Sequence, residues 1–228
     1  MKAYYANGTI GDAYVILCKL YSVAKKEEIL CRHYTPYKGM ERIIREIYSL
    51  LPNINVEFLE DEPSEVQLCG NFWHQGCKEE QNKYNLKPEY YPHFELGDLG
   101  YFNLPETYVT LQIKAGTHGY GSRSLSVDTI QEILNGSKSP VVVIGEKTIN
   151  LPTKGFDIVD LRDRTTIKEV VGIIKNSKHF YGLLGFLSFV ATSHKIMSDL
   201  WIESPLDINA VKKRQEAVEE WRKYLIRR

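Results

Sequence analysis

Three short segments of the sequence place glycines beside residues that can carry a charge or exchange a proton. They are Gly8 to Asp12, Gly116 to Arg123 and Gly182 to Ser188. Glycine lets the backbone approach a ligand closely, because it has no side chain and adopts unusual dihedral angles. Backbone amides at a helix N-terminus bind anions. These three segments are therefore the candidate sites of chemistry in this chain.

The first segment contains Gly8, Gly11 and Asp12, and a helical pattern of apolar residues follows it. The helix dipole alone accounts for an acidic residue at the start of a helix. A carboxylate at the edge of a cleft could instead take a proton from an acceptor hydroxyl. Both interpretations of Asp12 fit the sequence.

The other two segments suit an anion. In the second, small residues that include Gly119 and Ser122 surround Arg123. Amides and a guanidinium suit a diphosphate, because guanidinium and phosphate pair through two hydrogen bonds. An ordinary arginine on a mobile surface loop has the same composition, and the GKS or GKT of a P-loop is missing. In the third, Gly182 and Gly185 could expose amides to an anion or could allow close packing of a helix on a sheet.

Two weaker candidates remain. Glu146 follows residues 140–144 (PVVVI), a continuous apolar run that is typical of a strand buried on both faces. An acid in that position commonly meets a ribose hydroxyl in nucleotide-binding α/β folds, and a surface acid is just as common there. Cys69, His74 and Cys77 lie near one another in sequence, but zinc needs a fourth ligand and tighter spacing. We therefore expect no metal site and no cofactor.

The elements that would hold these segments alternate between strand and helix patterns. The expected strands are residues 2–5, 28–33, 55–59, 108–113, 140–144, 156–160 and 179–181. The expected helices are residues 13–24, 40–51, 127–134, 167–174, 186–197 and 207–228. Ser126 and either Thr165 or Thr166 are suited to cap two of them. Such alternation predicts parallel sheets with right-handed crossovers, which bind ligands beyond the carboxyl ends of their strands.

The composition narrows the class of protein. Lysine plus arginine number 29, as do aspartate plus glutamate, so the formal net charge is zero. This balance gives no broad electrostatic footprint for nucleic acid. There is no run of about eighteen apolar residues to predict a transmembrane helix, and we see no signal-peptide core. The four cysteines form no CxxC pair, which is typical of reduced thiols. We expect a cytoplasmic protein.

Three stretches, in this order, resemble the ADP-heptose:lipopolysaccharide heptosyltransferase family. They are Asn7 to Val15 (NGTIGDAYV), Ser122 to Leu134 (SRSLSVDTIQEIL) and Asp160 to Thr192 (beginning DLRDRTTIKEVV). In that family the first stretch carries the aspartate that serves as catalytic base, which is Asp12 here. The second carries a lysine that contacts the donor diphosphate, and Arg123 takes its place. The chain departs from the family where Leu184-Gly185-Phe186 replaces Asp-Ser/Thr-Gly and where Phe189 replaces a histidine.

The resemblance implies the GT-B fold, which consists of two Rossmann-like α/β halves with parallel sheets. Residues 1–104 would form the acceptor-side domain and end in an irregular connector. Residues 105–205 would form the nucleotide-sugar-binding domain. Residues 206–228 would form a helix that packs back on the N-terminal half.

The implied activity is transfer of a sugar from a nucleotide-diphosphate sugar to a hydroxyl of a glycan or another acceptor, with inversion and without a metal. Asp12 would be the base in the glycine turn formed by Gly8 and Gly11, and Glu146 would contact the nucleoside. The residues that would bind the donor diphosphate are Arg123, Gly182, Gly185, Gly119 and Ser122. The alternatives are a non-catalytic descendant that binds a nucleotide or sugar, and an unrelated flavodoxin-like or epimerase-like protein.

Overall fold

The computed structural model describes residues 1–69, 93–94, 96–115, 123–147 and 149–201. These residues form two compact units, the first within Met1–Glu95 and the second from Leu96 onward. Several predicted features lie outside the described residues, namely Gly119, Ser122, His74, Cys77 and the helix of residues 206–228. In the described part of the chain, no helix is both long and apolar enough to cross a membrane.

The first unit is a four-stranded parallel sheet in the order β3-β2-β1-β4. Its strands are β1 (Lys2–Asn7), β2 (Ile29–Tyr34), β3 (Ile54–Leu59) and β4 (Leu68–Cys69). Its helices are α1 (Ile10–Ala24) and α2 (Glu41–Tyr48), and a 3-10 turn, Lys38–Met40, precedes α2. Helix α1 contacts α2, β1 and β4.

Buried and partly exposed residues alternate along the strands of the first unit, and the buried ones form its core. Tyr4 and Ala6 of β1 and Cys31 and His33 of β2 are buried, while the residues between them are partly exposed. Successive side chains point to opposite faces of a strand, so one face of the sheet carries the buried set. Helix α1 is buried over nearly its whole length. Each large apolar side chain that it buries stabilises the fold by about 1.5–3 kcal/mol.

The second unit is a five-stranded parallel sheet in the order β11-β10-β5-β8-β9, with a short antiparallel pair, β6-β7. Its strands are β5 (Val109–Gln112), β6 (Lys114–Ala115), β7 (Arg123–Ser124), β8 (Val141–Ile144), β9 (Ile158–Asp160), β10 (His179–Leu183) and β11 (Met197–Trp201). Its helices are α3 (Val127–Gly136), α4 (Ile167–Lys175) and α5 (Phe186–Ser193), with a 3-10 turn at Gly100–Phe102. Strands β5 and β8 are buried at every position, as the apolar run of β8 predicts.

The predicted caps are confirmed. The Ser126 hydroxyl accepts a hydrogen bond from the Thr129 amide at 3.1 Å and starts α3. Thr166, the second of the two expected threonines, starts α4: its hydroxyl accepts from the Glu169 amide at 3.4 Å, and Glu169 Oε2 accepts from the Thr166 amide at 2.6 Å. Such reciprocal caps satisfy amides that have no partner inside the helix.

The prediction of one helix over residues 186–197 is wrong at its end. Helix α5 stops at Ser193, and the chain turns through Lys195, whose φ of 57° is left-handed. The Ile196 amide then donates to the Ala191 carbonyl at 2.9 Å, a bond typical of a helix C-terminus. Strand β11 follows and pairs in parallel with β10. The prediction also missed β4, β6 and β7.

The two sheets share one order. With the strands of each main sheet numbered along the chain, both read 3-2-1-4, and in the second unit a fifth strand lies beside the fourth. The direction of strand addition therefore reverses between β1 and β4 in the first unit and between β5 and β10 in the second. Open α/β sheets bind ligands beyond the carboxyl ends of their strands at this switch point.

A buried arginine fixes the end of β9. Arg162 is 4% exposed, and its Nε and Nη2 donate to the two carboxylate oxygens of Asp160, each at 2.8 Å. Its Nη1 donates to the Ile149 carbonyl at 2.9 Å. These side-chain hydrogen bonds from Arg162 hold the pKa of the Asp160 carboxyl below its ordinary value. The pair therefore ties the end of the strand to the loop that follows β8.

Replacing Arg162 with alanine should lower the free energy of unfolding by about 3 kcal/mol, because it leaves a partly buried carboxylate without its partner. The measurement is urea denaturation of both proteins. The matched control is Arg164→Ala: the guanidinium of this exposed arginine donates to the Asp160 carbonyl at 3.3 Å. Its loss should change stability by no more than about 0.5 kcal/mol. Equal losses in the two variants would contradict the role given to Arg162.

Candidate functional site

The turn after β1 holds Asp12 in a defined orientation. Asp12 Oδ2 accepts hydrogen bonds from the Thr9 amide at 2.7 Å and from the Thr9 hydroxyl at 3.0 Å. The carboxylate thus caps α1, which begins at Ile10, and Gly11 lies in the first helical turn. The sequence left open a helix-dipole role and a role as a base, and the structure adds a third role, that of a helix cap. It also places the carboxylate at the carboxyl end of β1, beside the switch point of the first sheet.

Gly8 is required by the position of Asp12. Its φ of 138° lies in a region that side chains resist. A β-carbon built on Gly8 would lie 2.4 Å from the β-carbon of Asp12 and 2.7 Å from its Oδ2. Non-bonded carbon atoms normally stay about 3.5–4.0 Å apart. The glycine predicted for close approach therefore makes room for the aspartate of its own chain.

His33 lies beneath this turn. Its Nε2 is 3.1 Å from the Gly8 carbonyl oxygen and its Nδ1 is 2.9 Å from the Tyr48 hydroxyl. A carbonyl only accepts, so Nε2 carries the proton, and in the neutral ring Nδ1 accepts from Tyr48. Both side chains are fully buried. Burial lowers the pKa of His33 to about 4. This residue was not predicted from the sequence, although it occupies an inward position of the alternating strand ILCRHY.

In the second unit, two of the predicted segments meet. Arg123 lies on β7 opposite Ala115 of β6, and Gly185 is the residue before α5. A β-carbon built on Gly185 would lie 3.9 Å from Arg123 Nη2 and 3.8 Å from the Ala115 β-carbon. The β6-β7 pair follows β5, and α5 follows β10. The arginine therefore reaches the helix N-terminus at the switch point of this sheet, where residues from both segments lie side by side.

The amide before α5 is already bonded. The Gly185 amide donates to the Ser188 hydroxyl at 3.0 Å, and that hydroxyl donates to the Gly185 carbonyl at 2.8 Å. An α-helix begins with four amides that lack intrahelical partners, and this serine satisfies the first of them. The positive end of the α5 dipole still favours an anion.

Gly182 lies inside β10 and not in the turn after it. It is buried, and a β-carbon built on it would lie 2.8 Å from the Phe180 ring and 3.0 Å from the Gln112 β-carbon. This placement favours close packing, one of the two roles that the sequence leaves open for Gly182. The residues that approach one another at this edge are thus Arg123 and Gly185.

Glu146 forms an ion pair at the same edge of the sheet. Its Oε2 lies 2.6 Å from Lys114 Nζ, and its side chain is about half exposed. Gly145 turns the chain after β8 with a φ of 97°. The loop is braced from β9: the Asp163 amide donates to the Gly145 carbonyl at 2.9 Å. Lys114 and Arg123 thus place two cationic residues on the β6-β7 pair.

Gln112, at the end of β5, is a second polar residue that the sequence analysis missed. It is 6% exposed, and its Nε2 donates to the Lys114 carbonyl at 2.9 Å. Its Oε1 is buried and has no hydrogen-bond partner within the described structure. A glutamine in the strand-forming run YVTLQI was the available signal.

A groove of about 580 Å³ lies elsewhere, in the first unit. Tyr5, Gln67 and residues 59–65 line it, and four of these residues are carboxylates. One of them, Glu62, accepts a hydrogen bond from the Asn7 side chain at 3.0 Å, at the end of β1. The carboxylates make this groove unsuited to a diphosphate, because like charges repel. It is distinct from the predicted donor site.

Solved bacterial glycosyltransferases have a similar fold. The chain is similar to TibC of enterotoxigenic E. coli H10407, an iron-containing dodecameric glycosyltransferase, with a TM-score of 0.51 and 13% identity. The match covers 90% of this chain and 61% of TibC, so the chain spans less than two thirds of that protein. It is also similar to the ADP-heptose lps heptosyltransferase II of E. coli, with a TM-score of 0.52 and 10% identity, over 96% of this chain and 99% of that one.

No protein-family model and no curated protein sequence matches this chain. At 10–13% identity, a structural likeness establishes the fold alone. The expected α/β fold with Rossmann-like parallel sheets is thus confirmed, and so is its likeness to the heptosyltransferases.

Acidification should destabilise the first unit through His33. The unfolded imidazole takes up a proton near pH 6.5, whereas the folded one stays neutral down to about pH 4. Between these values the unfolded chain binds more protons, so stability is complete above pH 6.5 and falls as the pH falls towards 4. The full loss is roughly 3 kcal/mol. Urea denaturation from pH 7.5 to 4.5 should show a shallower fall in His33→Gln, which does not titrate. If stability fell equally steeply with pH in both proteins, protonation of His33 would not be the cause of the loss.

Proposed function

We propose that this chain is a glycosyltransferase that moves a sugar from a nucleotide-diphosphate sugar to a hydroxyl acceptor. The observation that carries the proposal is the meeting of Arg123 with the N-terminus of α5 at the switch point of the second sheet. Ligands of open α/β sheets bind at that point. The fold shared with solved heptosyltransferases supports the same conclusion.

The second unit would bind the donor. A guanidinium pairs with a phosphate through two hydrogen bonds, and the positive end of α5 attracts the same anion. Fixed positive groups of this kind stabilise a diphosphate as it leaves, without a metal. Lys114 does not add to this charge, because the register of the β6-β7 pair places it on the opposite face from Arg123 and its Nζ is paired with Glu146 at 2.6 Å. Glu146 would then accept a hydrogen bond from a ribose hydroxyl.

The departures from the heptosyltransferase pattern concern this donor site. Leu184 stands where the family has an aspartate, and it is buried. The change removes one of the residues with which the family holds the donor diphosphate. The chain therefore depends on Arg123 and the helix terminus for contacts that the family divides among more residues.

The first unit would supply the base. Asp12 lies at the carboxyl end of β1, and its capping bonds with Thr9 fix the direction of the carboxylate. A carboxylate that is held in place can take the proton of an acceptor hydroxyl as the bond to the sugar forms. Attack on the anomeric carbon opposite to the departing diphosphate inverts that centre.

One observation favours a second candidate, a protein that binds a nucleotide or sugar without transferring it. Leu184 and Phe189 occupy positions at which the family places donor-binding aspartate and histidine. The same donor site serves both candidates, so binding alone does not separate them. The decisive experiment is an assay of sugar transfer by the wild type and by Asp12→Asn.

Donor binding is tested by thermal denaturation with ADP, UDP and GDP and with the matching monophosphates. A ligand at a hundredfold excess over its Kd should stabilise the folded chain by about 2.7 kcal/mol. Arg123→Ala should weaken diphosphate binding by roughly 10- to 100-fold, because it removes a charge-assisted hydrogen bond. The affinity of Arg123→Lys for the diphosphate should lie between that of the wild type and that of Arg123→Ala.

The control for the lost charge is Arg42→Ala, since that side chain is 86% exposed on α2. It should bind as the wild type does. The donor site would be refuted if no nucleotide raised the melting temperature, or if Arg123→Ala bound the diphosphate as tightly as the wild type.

The base is tested with Asp12→Asn. The amide oxygen still accepts from Thr9, so the cap is kept while the basicity is lost. Transfer should slow by roughly 10²- to 10⁴-fold, and diphosphate binding should be unchanged. Glu169→Gln makes the same exchange in the capping box of α4 and should leave the rate unaffected. Transfer at full rate by Asp12→Asn would show that another group is the base. Binding without any transfer by the wild type would favour the second candidate.

A further inference from the structure

We infer that His33 is a positioning residue for Asp12: its imidazole holds the Gly8 carbonyl and so fixes the turn that carries the carboxylate. This inference rests on the proposed role of Asp12 as the base. Three observations support it, namely the hydrogen bonds of Gly8, the identity of residue 36 and the buried partners of the ring.

Both polar groups of the Gly8 backbone bond to β2. The Gly8 amide donates to the Tyr34 carbonyl at 3.1 Å and continues the ladder of β1 and β2 past Asn7. The Gly8 carbonyl accepts from His33 Nε2 at 3.1 Å. The backbone of Gly8, which packs against Asp12, is thus held through both its amide and its carbonyl by one strand.

A backbone donor is missing at the position that His33 serves. In a parallel ladder, a residue that donates to residue 34 of its neighbour accepts from the amide of residue 36. Residue 36 is Pro36, which has no N–H. Gly8 is partly buried, and an unpaired carbonyl costs up to about 1–3 kcal/mol as burial becomes complete. The side chain of His33 therefore supplies the bond that the proline withholds.

The ring is fixed in turn by α2. Tyr48 donates to His33 Nδ1 at 2.9 Å, and both residues are fully buried. Tyr48 also lies close to other titratable groups: burial first, and then Cys31 and Asp12, raise its pKa. The chain of contacts therefore runs from α2 through Tyr48, His33 and Gly8 to Asp12.

Two isosteric variants separate the two nitrogens of the ring. The side-chain nitrogen of His33→Gln can occupy the place of Nε2 and bond to Gly8. The side-chain amide of His33→Asn reaches only the place of Nδ1. We expect His33→Asn to lower kcat on the order of tenfold, with the donor KM and ADP binding unchanged, and His33→Gln to keep most of the rate. A purely structural role would lower stability in both without this split.

A second readout does not depend on transfer. The titration of the Asp12 carboxyl, followed by carbon NMR in the full chain, should shift in His33→Asn and stay near its wild-type position in His33→Gln. This test holds even if the wild type proves to have no transferase activity, in which case the proposed function fails and the link between His33 and Asp12 is still measured.

The inference is overturned if both variants titrate as the wild type does, or if both change equally. Should His33→Asn fail to fold, Tyr48→Phe replaces it: it removes the hydroxyl that fixes the His33 ring through Nδ1, together with the interaction of that hydroxyl with Cys31. It should give a shift of the Asp12 titration in the same direction, and an unchanged titration would overturn the inference.

Discussion

Parallel pairing constrains everything else in both main sheets. Each strand of these sheets runs in the same direction as its neighbours, so all their carboxyl ends lie along one edge. In the order 3-2-1-4, the direction of strand addition reverses beside the first strand of each unit. This reversal leaves a crevice at that edge of the sheet. Asp12 follows the first strand of one sheet, and Arg123 follows the first strand of the other. Their placement is thus a result of topology before it is one of chemistry.

Each site also depends on an exception to regular pairing. In the second unit, the antiparallel pair β6-β7 carries Arg123 back towards the helix terminus at Gly185. In the first unit, the ladder stops at Pro36 and a histidine side chain takes over its last bond. Regular strands supply rigidity in both cases, and the residues just past their ends supply the polar groups.

The sequence was most informative where a pattern is local. The apolar run of β8 and the caps Ser126 and Thr166 were predicted, because burial and capping depend on neighbouring residues. Strand β11 was missed, because two of the five residues in its sequence, MSDLW, are polar and because it follows an apolar helix that ends without glycine. The role of His33 could not be predicted from the sequence, because it depends on the register between β1 and β2, which no local pattern encodes. Gln112 could have been predicted, because a glutamine within the run YVTLQI is visible in the sequence.

The close approach of Gly8 to Asp12 has a consequence for how this chain can diverge. A side chain at residue 8 would occupy the space of the side chain at residue 12, so the two positions cannot change independently. A relative that acquires a side chain at residue 8 must first shift or shorten residue 12, and with it the start of α1. Loss of the carboxylate alone would not release the glycine, because a β-carbon at residue 12 and the φ of 138° both still exclude a side chain at residue 8. Within such a lineage, the glycine should therefore outlast the acid, and its presence would report the shape of the turn.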